Sequence, residues 1–150
     1  MNIRQSSGSA FEARVASLLR SSPGYRNVRE QQHIRGKNVD ILFQKQWNPH
    51  REITIAVECK NWKSGLDRTS VQEVYLDYKP LLDERDVDEV WIVTPTPVGP
   101  TVQEYVDSFH GLEVLHISEF EQDVIDFSLY TTYLTTRFKI SFPNITYRLD

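Results

Sequence analysis

Asp40, Glu58 and Lys60 are the residues of this chain whose types and spacing could do chemistry together. Glu58 and Lys60 stand two apart at the end of Ile53-Thr54-Ile55-Ala56-Val57-Glu58-Cys59-Lys60, which reads as one buried strand. The two-residue period of a strand puts Ile53, Ile55, Val57 and Cys59 on one face. Thr54, Ala56, Glu58 and Lys60 then share the other. Either charge would be costly to bury alone, so each needs a partner, a metal or water. Val39-Asp40-Ile41-Leu42-Phe43 is a second strand-like run, following the turn-like Arg35-Gly36-Lys37-Asn38. If the two runs pair through the loop from Gln46 to Arg51, Asp40 lies beside Glu58. Two carboxylates and a lysine at a sheet rim then form a hard-oxygen site suited to Mg²⁺ with an ammonium beside it. Such a set can offset charge on an attacked phosphodiester. Glu-x-Lys is also a common pattern, and taken alone it is better explained by an Asp–Lys surface ion pair at a partly exposed strand end.

The elements that must position these residues can be read in order. Met1 to Gly8 is polar and expected to be disordered or only locally ordered. Ser9 is expected to cap a helix to about Arg20, with Phe11, Val15, Leu18 and Leu19 as its apolar stripe. Ser9-x-x-Glu12 fits a capping box, which would explain Glu12 without any function. Tyr25 to Ile34 reads as a first strand. A second helix is expected from Ser70, with Ser70-x-x-Glu73 as its capping box, Val71, Val74, Tyr75 and Tyr78 inside, and Pro80 bending or ending it. Glu89 to Thr94 is nearly continuously apolar, as a central strand is. Pro100 suits a first helical position, Gly111 the helix end, and Leu112 to Ile117 the last strand. Ser118-x-x-Glu121 would cap a final helix to about Phe138. Its apolar residues cover more than one face, which suggests docking on a partner or further domain through Phe127, Tyr130 and Leu134. The alternation after residue 52 indicates an α/β sheet with right-handed crossovers.

The order of motifs resembles a family. Gly8-Ser9-Ala10-Phe11-Glu12, Gly24-Tyr25, Gly36-Lys37-Asn38-Val39-Asp40, Ala56-Val57-Glu58-Cys59-Lys60-Asn61-Trp62 and Ser70-Val71-Gln72-Glu73-Val74-Tyr75 occur in sequence. In that order residues 8 to 78 resemble the Mrr-type restriction endonucleases of the PD-(D/E)xK superfamily. The resemblance implies an α/β restriction-endonuclease-like core in αβββαβ order, with a mixed sheet of four to five strands flanked by helices. It further implies a Mg²⁺-dependent DNA endonuclease, with Mn²⁺ as a substitute and a 5′-phosphate on the product. Asp40 and Glu58 would hold the metal, joined by the Cys59 carbonyl, and Lys60 would orient the attacking water. Glu12 and Gln72 would complete the site. The family usually has small residues shortly after this glutamine; this chain carries Leu76-Asp77. Two other readings stand beside this one: a Holliday-junction resolvase-like nuclease, and a non-cleaving DNA-binding or assembly module.

Composition bounds the rest. At 150 residues the chain is long enough for one substantial core. Residues 1–117 are expected to form the nuclease core and residues 118–150 a C-terminal helix and tail, which suggests a module of a larger protein. The single cysteine excludes an internal disulfide, and the four histidines show no zinc-ligand spacing. Neither a membrane span nor a secretory segment is indicated, so a cytoplasmic protein is expected. The net charge of −4 is unevenly spread. Residues 1–63 hold 11 Lys or Arg against 5 Asp or Glu, and residues 64–150 hold 6 against 16. The half carrying the candidate site is thus the basic half, as a double-stranded DNA partner would require. Arg35, Lys37, Trp62 and Lys63 are the expected nucleic-acid contacts, the tryptophan by stacking and the cations by phosphate contact.

Overall fold

The computed structural model describes residues 3–22, 24–61, 65–119 and 121–122. Its elements are α1 (Ile3–Ser21), β1 (Tyr25–Ile34), β2 (Lys37–Asn48), β3 (Arg51–Cys59), α2 (Arg68–Asp83), β4 (Glu89–Thr94), α3 (Pro100–Asp107) and β5 (Leu112–His116). The five strands lie in chain order in one mixed sheet. β1, β2 and β3 are antiparallel neighbours, whereas β3, β4 and β5 run parallel through helical crossovers. The expected α/β architecture is therefore present. No described helix is long and apolar enough to cross a membrane.

Two cores hold the layers together. On one face, Ile41, Phe43, Ile53, Ile55, Val57, Trp91 and Val93 pack against Phe11, Val15, Ala16 and Leu19 of α1. On the other, Val39, Leu42, Ala56, Val90, Ile92, Leu112 and Val114 meet Val71, Val74, Tyr78 and Leu81 of α2 and Val106 of α3. Ile55, Ala56 and Val57 are all fully buried, so β3 is covered on both faces. Its C-terminal end places the Glu58 carboxylate where it is only 5% exposed.

Several boundaries differ from the expectations. α1 begins at Ile3 and so contains Ser9 in its interior. The Ser9 capping box does not form, and the segment before Gly8 is helical from Ile3. The cap of α2 is Asp67, whose side chain accepts from the Ser70 N–H at 2.8 Å. A carboxylate three residues upstream outcompetes the Ser70 hydroxyl for the exposed amides. Pro80 lies inside α2, which continues to Asp83 rather than ending before Leu81. Leu76 and Asp77 point outward, so they do not disturb packing on the sheet. The β2–β3 connection shrinks to Pro49-His50, with the Asn48 carboxamide oxygen accepting the His50 N–H at 2.9 Å. Trp47 is 59% exposed there. α3 ends at Asp107, four residues before Gly111, and β5 at His116. Residues 117–119 are already helical, so Ser118 is not the cap of that turn. The stretch to Phe138, including Phe127, Tyr130 and Leu134, lies outside the described residues.

The turn that delivers β2 is a two-residue hairpin. Ile34 pairs with Lys37, and Arg35 and Gly36 have φ of 47° and 78°. Positive φ at both positions is the type I′ geometry matched to strand twist. Gly111, at φ 76°, starts β5, and its carbonyl accepts the Val90 N–H at 2.7 Å. A Cβ at Gly111 would lie 3.1 Å from the Asp88 carbonyl oxygen, whereas one at Gly36 would meet nothing within 4 Å. Gly36→Ala is therefore expected to cost about 1 kcal/mol from conformation alone, and Gly111→Ala about 2–3 kcal/mol from conformation plus crowding. Urea denaturation of both variants measures the difference, and equal losses would contradict it.

Candidate active site

The site is built where the β2–β3 ladder stops. The last paired residues are Ile41 and Val57. One step further the register sets Asp40 opposite Glu58, as the sequence suggested. There the Asp40 carboxylate accepts the Cys59 N–H at 2.9 Å, taking the place of a ladder carbonyl. Strict alternation would put Val39 and Ile41 in the same core, yet Val39 packs against α2 and Ile41 against α1. The strand changes faces across Asp40. Opposite it on β1, Gln31 has φ 51°, a conformation that costs a side-chain-bearing residue about 1–2 kcal/mol. That backbone turn lets the Gln31 amide donate to the Glu12 carboxylate at 2.7 Å.

Glu58 points to the α2 face and is 5% exposed. Both of its oxygens are engaged. Oε1 accepts from Lys60 Nζ at 2.8 Å, and Oε2 accepts from the Tyr78 hydroxyl at 2.6 Å. Lys37 Nζ lies 4.0 Å from Oε2, 3.6 Å from Asp77 and 4.7 Å from the centre of the Tyr78 ring. Beyond Glu58 the chain stays locked to β4, since the Lys60 N–H donates to the Val93 carbonyl at 3.0 Å. Lys60 is thus held by its backbone and aimed by Glu58.

Electrostatics ties the acids into one group. Burial, then the charge of Glu58, raises the Asp40 carboxyl from its ordinary 3.8 to about 6, against the Cys59 N–H bond that lowers it. Glu12 is raised as well, first by burial and further by Glu58, with its Gln31 hydrogen bond and Lys60 opposing. Burial alone would lower Lys60, but its hydrogen bond to Glu58 and the charges of Glu58, Asp40 and Asp77 keep it raised. The Cys59 thiol is pushed far up by burial and the surrounding carboxylates, which leaves it protonated and unreactive.

Of the expected site residues, Asp40, Glu58 and Lys60 come together, with Glu12 close enough to feel their charges. Gln72 is exposed in the second turn of α2, because the helix starts at Arg68, and has no hydrogen bond or ion pair to that group among the described residues. Arg35 is bound to Asp86 and lies 3.9 Å from Glu84, which occupies the guanidinium expected to meet nucleic acid. Lys37 leans inward onto the acids instead of outward. Trp62 and Lys63 lie outside the described residues. Tyr78 was missed, having been read as part of an apolar stripe. The available signal was its phenol, since a buried tyrosine hydroxyl usually has a partner. His116 is satisfied on both nitrogens, by Pro95 O at 3.1 Å and by Ser118. A cleft of about 1210 Å³ lies at the other ends of the parallel strands, lined by Trp47, Arg51, Tyr75, Glu89, Phe109 and Glu113, and includes none of the expected site residues.

The donor set fits a hard divalent cation. Among the described residues no three His, Cys, Asp or Glu side chains gather tightly enough to form a metal cage. Mg²⁺ does not require one, because it keeps several waters and binds through one or two carboxylates. Burial and the nearby Glu58 charge, which together raise Asp40, are costs that a cation held there would offset.

The raised Asp40 carboxyl makes stability depend on pH. Its folded value lies above the ordinary one, so the stabilising contribution is present below about pH 4 and is lost as pH rises through about 6. Asp40→Asn keeps an acceptor for the Cys59 N–H and removes the charge. In metal-free buffer it is expected to match the wild type near pH 4 and to exceed it by on the order of 1–2 kcal/mol at pH 8, the shift being discounted for the water that screens a partly exposed carboxyl. Urea denaturation across this range checks the expectation, and a pH-independent difference would contradict it.

A family model described as restriction endonuclease, the Mrr catalytic domain, matches residues 3–122. Among solved structures, the fold is similar to the DNA modification-dependent restriction endonuclease AspBHI, with a TM-score of 0.51 and 18% identity. That similarity covers 75% of this chain and 29% of the other, so the chain spans under a third of that protein's length. No curated protein matches the sequence. By the family match over most of its length, the chain belongs to the Mrr-type restriction endonucleases.

Proposed function

We propose that this chain is a Mg²⁺-dependent endonuclease domain that hydrolyses phosphodiester bonds of double-stranded DNA, with Asp40, Glu58 and Lys60 at its centre. The observation that carries the reading is the convergence of Asp40 and Glu58 at the end of the β2–β3 ladder, with Lys60 Nζ 2.8 Å from Glu58. Asp40, Glu58 and the Cys59 carbonyl would hold the metal. The bound ion would neutralise charge on the attacked phosphate and make water a stronger nucleophile. Lys60 orients the attacking water and lends its charge to the phosphate. Glu12, fixed by Gln31, adds negative potential behind the metal ligands. Gln72 is exposed at the start of α2 and is available to DNA rather than to the acids. Mn²⁺ substitutes for Mg²⁺ in this reading. A cytoplasmic restriction or anti-phage role, as an effector module with a partner or fused domain on residues 118–150, completes it.

Cleavage of supercoiled plasmid in Mg²⁺ tests the proposal. The wild type is expected to nick or linearise it and to stop when EDTA is added. Asp40→Ala should lower the rate by about a thousandfold, the several kcal/mol that such a metal site contributes, while its circular dichroism is unchanged. Cleavage at the wild-type rate by folded Asp40→Ala would overturn the assignment.

A further inference from the structure

Tyr78 is a phenol in the middle of an apolar helix stripe, fully buried between Val74 and Leu81. Packing alone would be served as well by phenylalanine. The hydroxyl is instead spent on Glu58 Oε2 at 2.6 Å, on the side of the carboxylate opposite Lys60. A carboxylate bonded at one oxygen can rotate about its last torsion; one bonded at both, from a strand and from a helix, cannot. The tyrosine is itself held. Its ring is wedged in the α2 core and capped by the Lys37 ammonium, 4.7 Å from the ring centre.

We propose that Tyr78 is a positioning residue, which fixes the plane of the Glu58 carboxylate so that its remaining lone pairs face the metal position beside Asp40. This inference rests on the metal-site reading above. Lys37 Nζ, 4.0 Å from Glu58 and 3.6 Å from Asp77, covers the ring but is too far to add a hydrogen bond to the carboxylate. The role resembles that of the outer hydrogen bonds that orient metal-ligating side chains, whose loss typically weakens binding 10- to 100-fold.

The test is Mn²⁺ binding to the metal-free protein, read by electron paramagnetic resonance without DNA. Tyr78→Phe is expected to bind Mn²⁺ at least about tenfold more weakly than the wild type. Val74→Ala, which opens a small cavity under α2 and leaves both Glu58 hydrogen bonds in place, should bind it no more weakly than the wild type. Tyr78→Phe binding at wild-type affinity would overturn the proposal, as would equal weakening in both variants, which signals a general loosening of α2. A wild type that binds no Mn²⁺, or binds it unchanged in Asp40→Ala, would instead overturn the metal-site reading. Should Tyr78→Phe not fold, proton NMR of the wild type decides. A slowly exchanging Tyr78 hydroxyl proton that shifts on adding Mg²⁺ supports the role, and its absence or indifference to Mg²⁺ overturns it.

Discussion

A carboxylate at the closed end of a sheet is tolerable only if its hydrogen-bonding capacity is met, and Glu58 is the group under that constraint. Its strand is covered on both faces, so water is not at hand to solvate it. Removing one partner from a buried charge is far costlier than the pair is worth to stability. The surroundings follow from this need. Lys60 arrives from the same strand, Tyr78 from α2, and Lys37 from the start of β2. Asp40 does the opposite, adding a second negative charge nearby. That arrangement lowers the stability of the metal-free protein, and it persists because the flanking cores are large enough to bear it.

The Asp40 carboxylate also has a structural task. By accepting the Cys59 N–H, it joins the two strands where their regular ladder has ended. A single side chain therefore sets both the charge of the site and the spacing of β2 from the residue between Glu58 and Lys60. The left-handed Gln31 on β1 lies opposite the same point and turns its amide toward Glu12. Strain, a strand face switch and three mutually repelling acids coincide within a few residues. Such coincidence is common where geometry serves chemistry.

Much of this was legible in the sequence. The strand period put Glu58 and Lys60 on one face, and the order of the motifs brought Asp40 and Glu12 to them. The sheet order followed from apolar runs separated by helix-forming segments. What was not legible depended on three-dimensional competition. Ser-x-x-Glu matches arise easily, and neither Ser9 nor Ser70 caps its helix, because α1 starts earlier and Asp67 is the better acceptor. Arg35 and Lys37 looked alike as turn cations. The hairpin's twist sends one to Asp86 and the other to Glu58. Tyr78 fitted an apolar period so well that its hydroxyl went unremarked.

The Arg35-Gly36 turn limits how this lineage can vary. Lys37 and Asp40 reach the acids because exactly two residues separate the paired positions Ile34 and Lys37. One added or lost residue there would slip β2 by one step and invert every side chain between Lys37 and Phe43, exchanging core for solvent. The connections that follow the parallel strands bear no such restriction, since they set no antiparallel register. Length variation among relatives should therefore accumulate after β3 and β4, where new surface can be added around an unchanged centre, and be scarce at this hairpin.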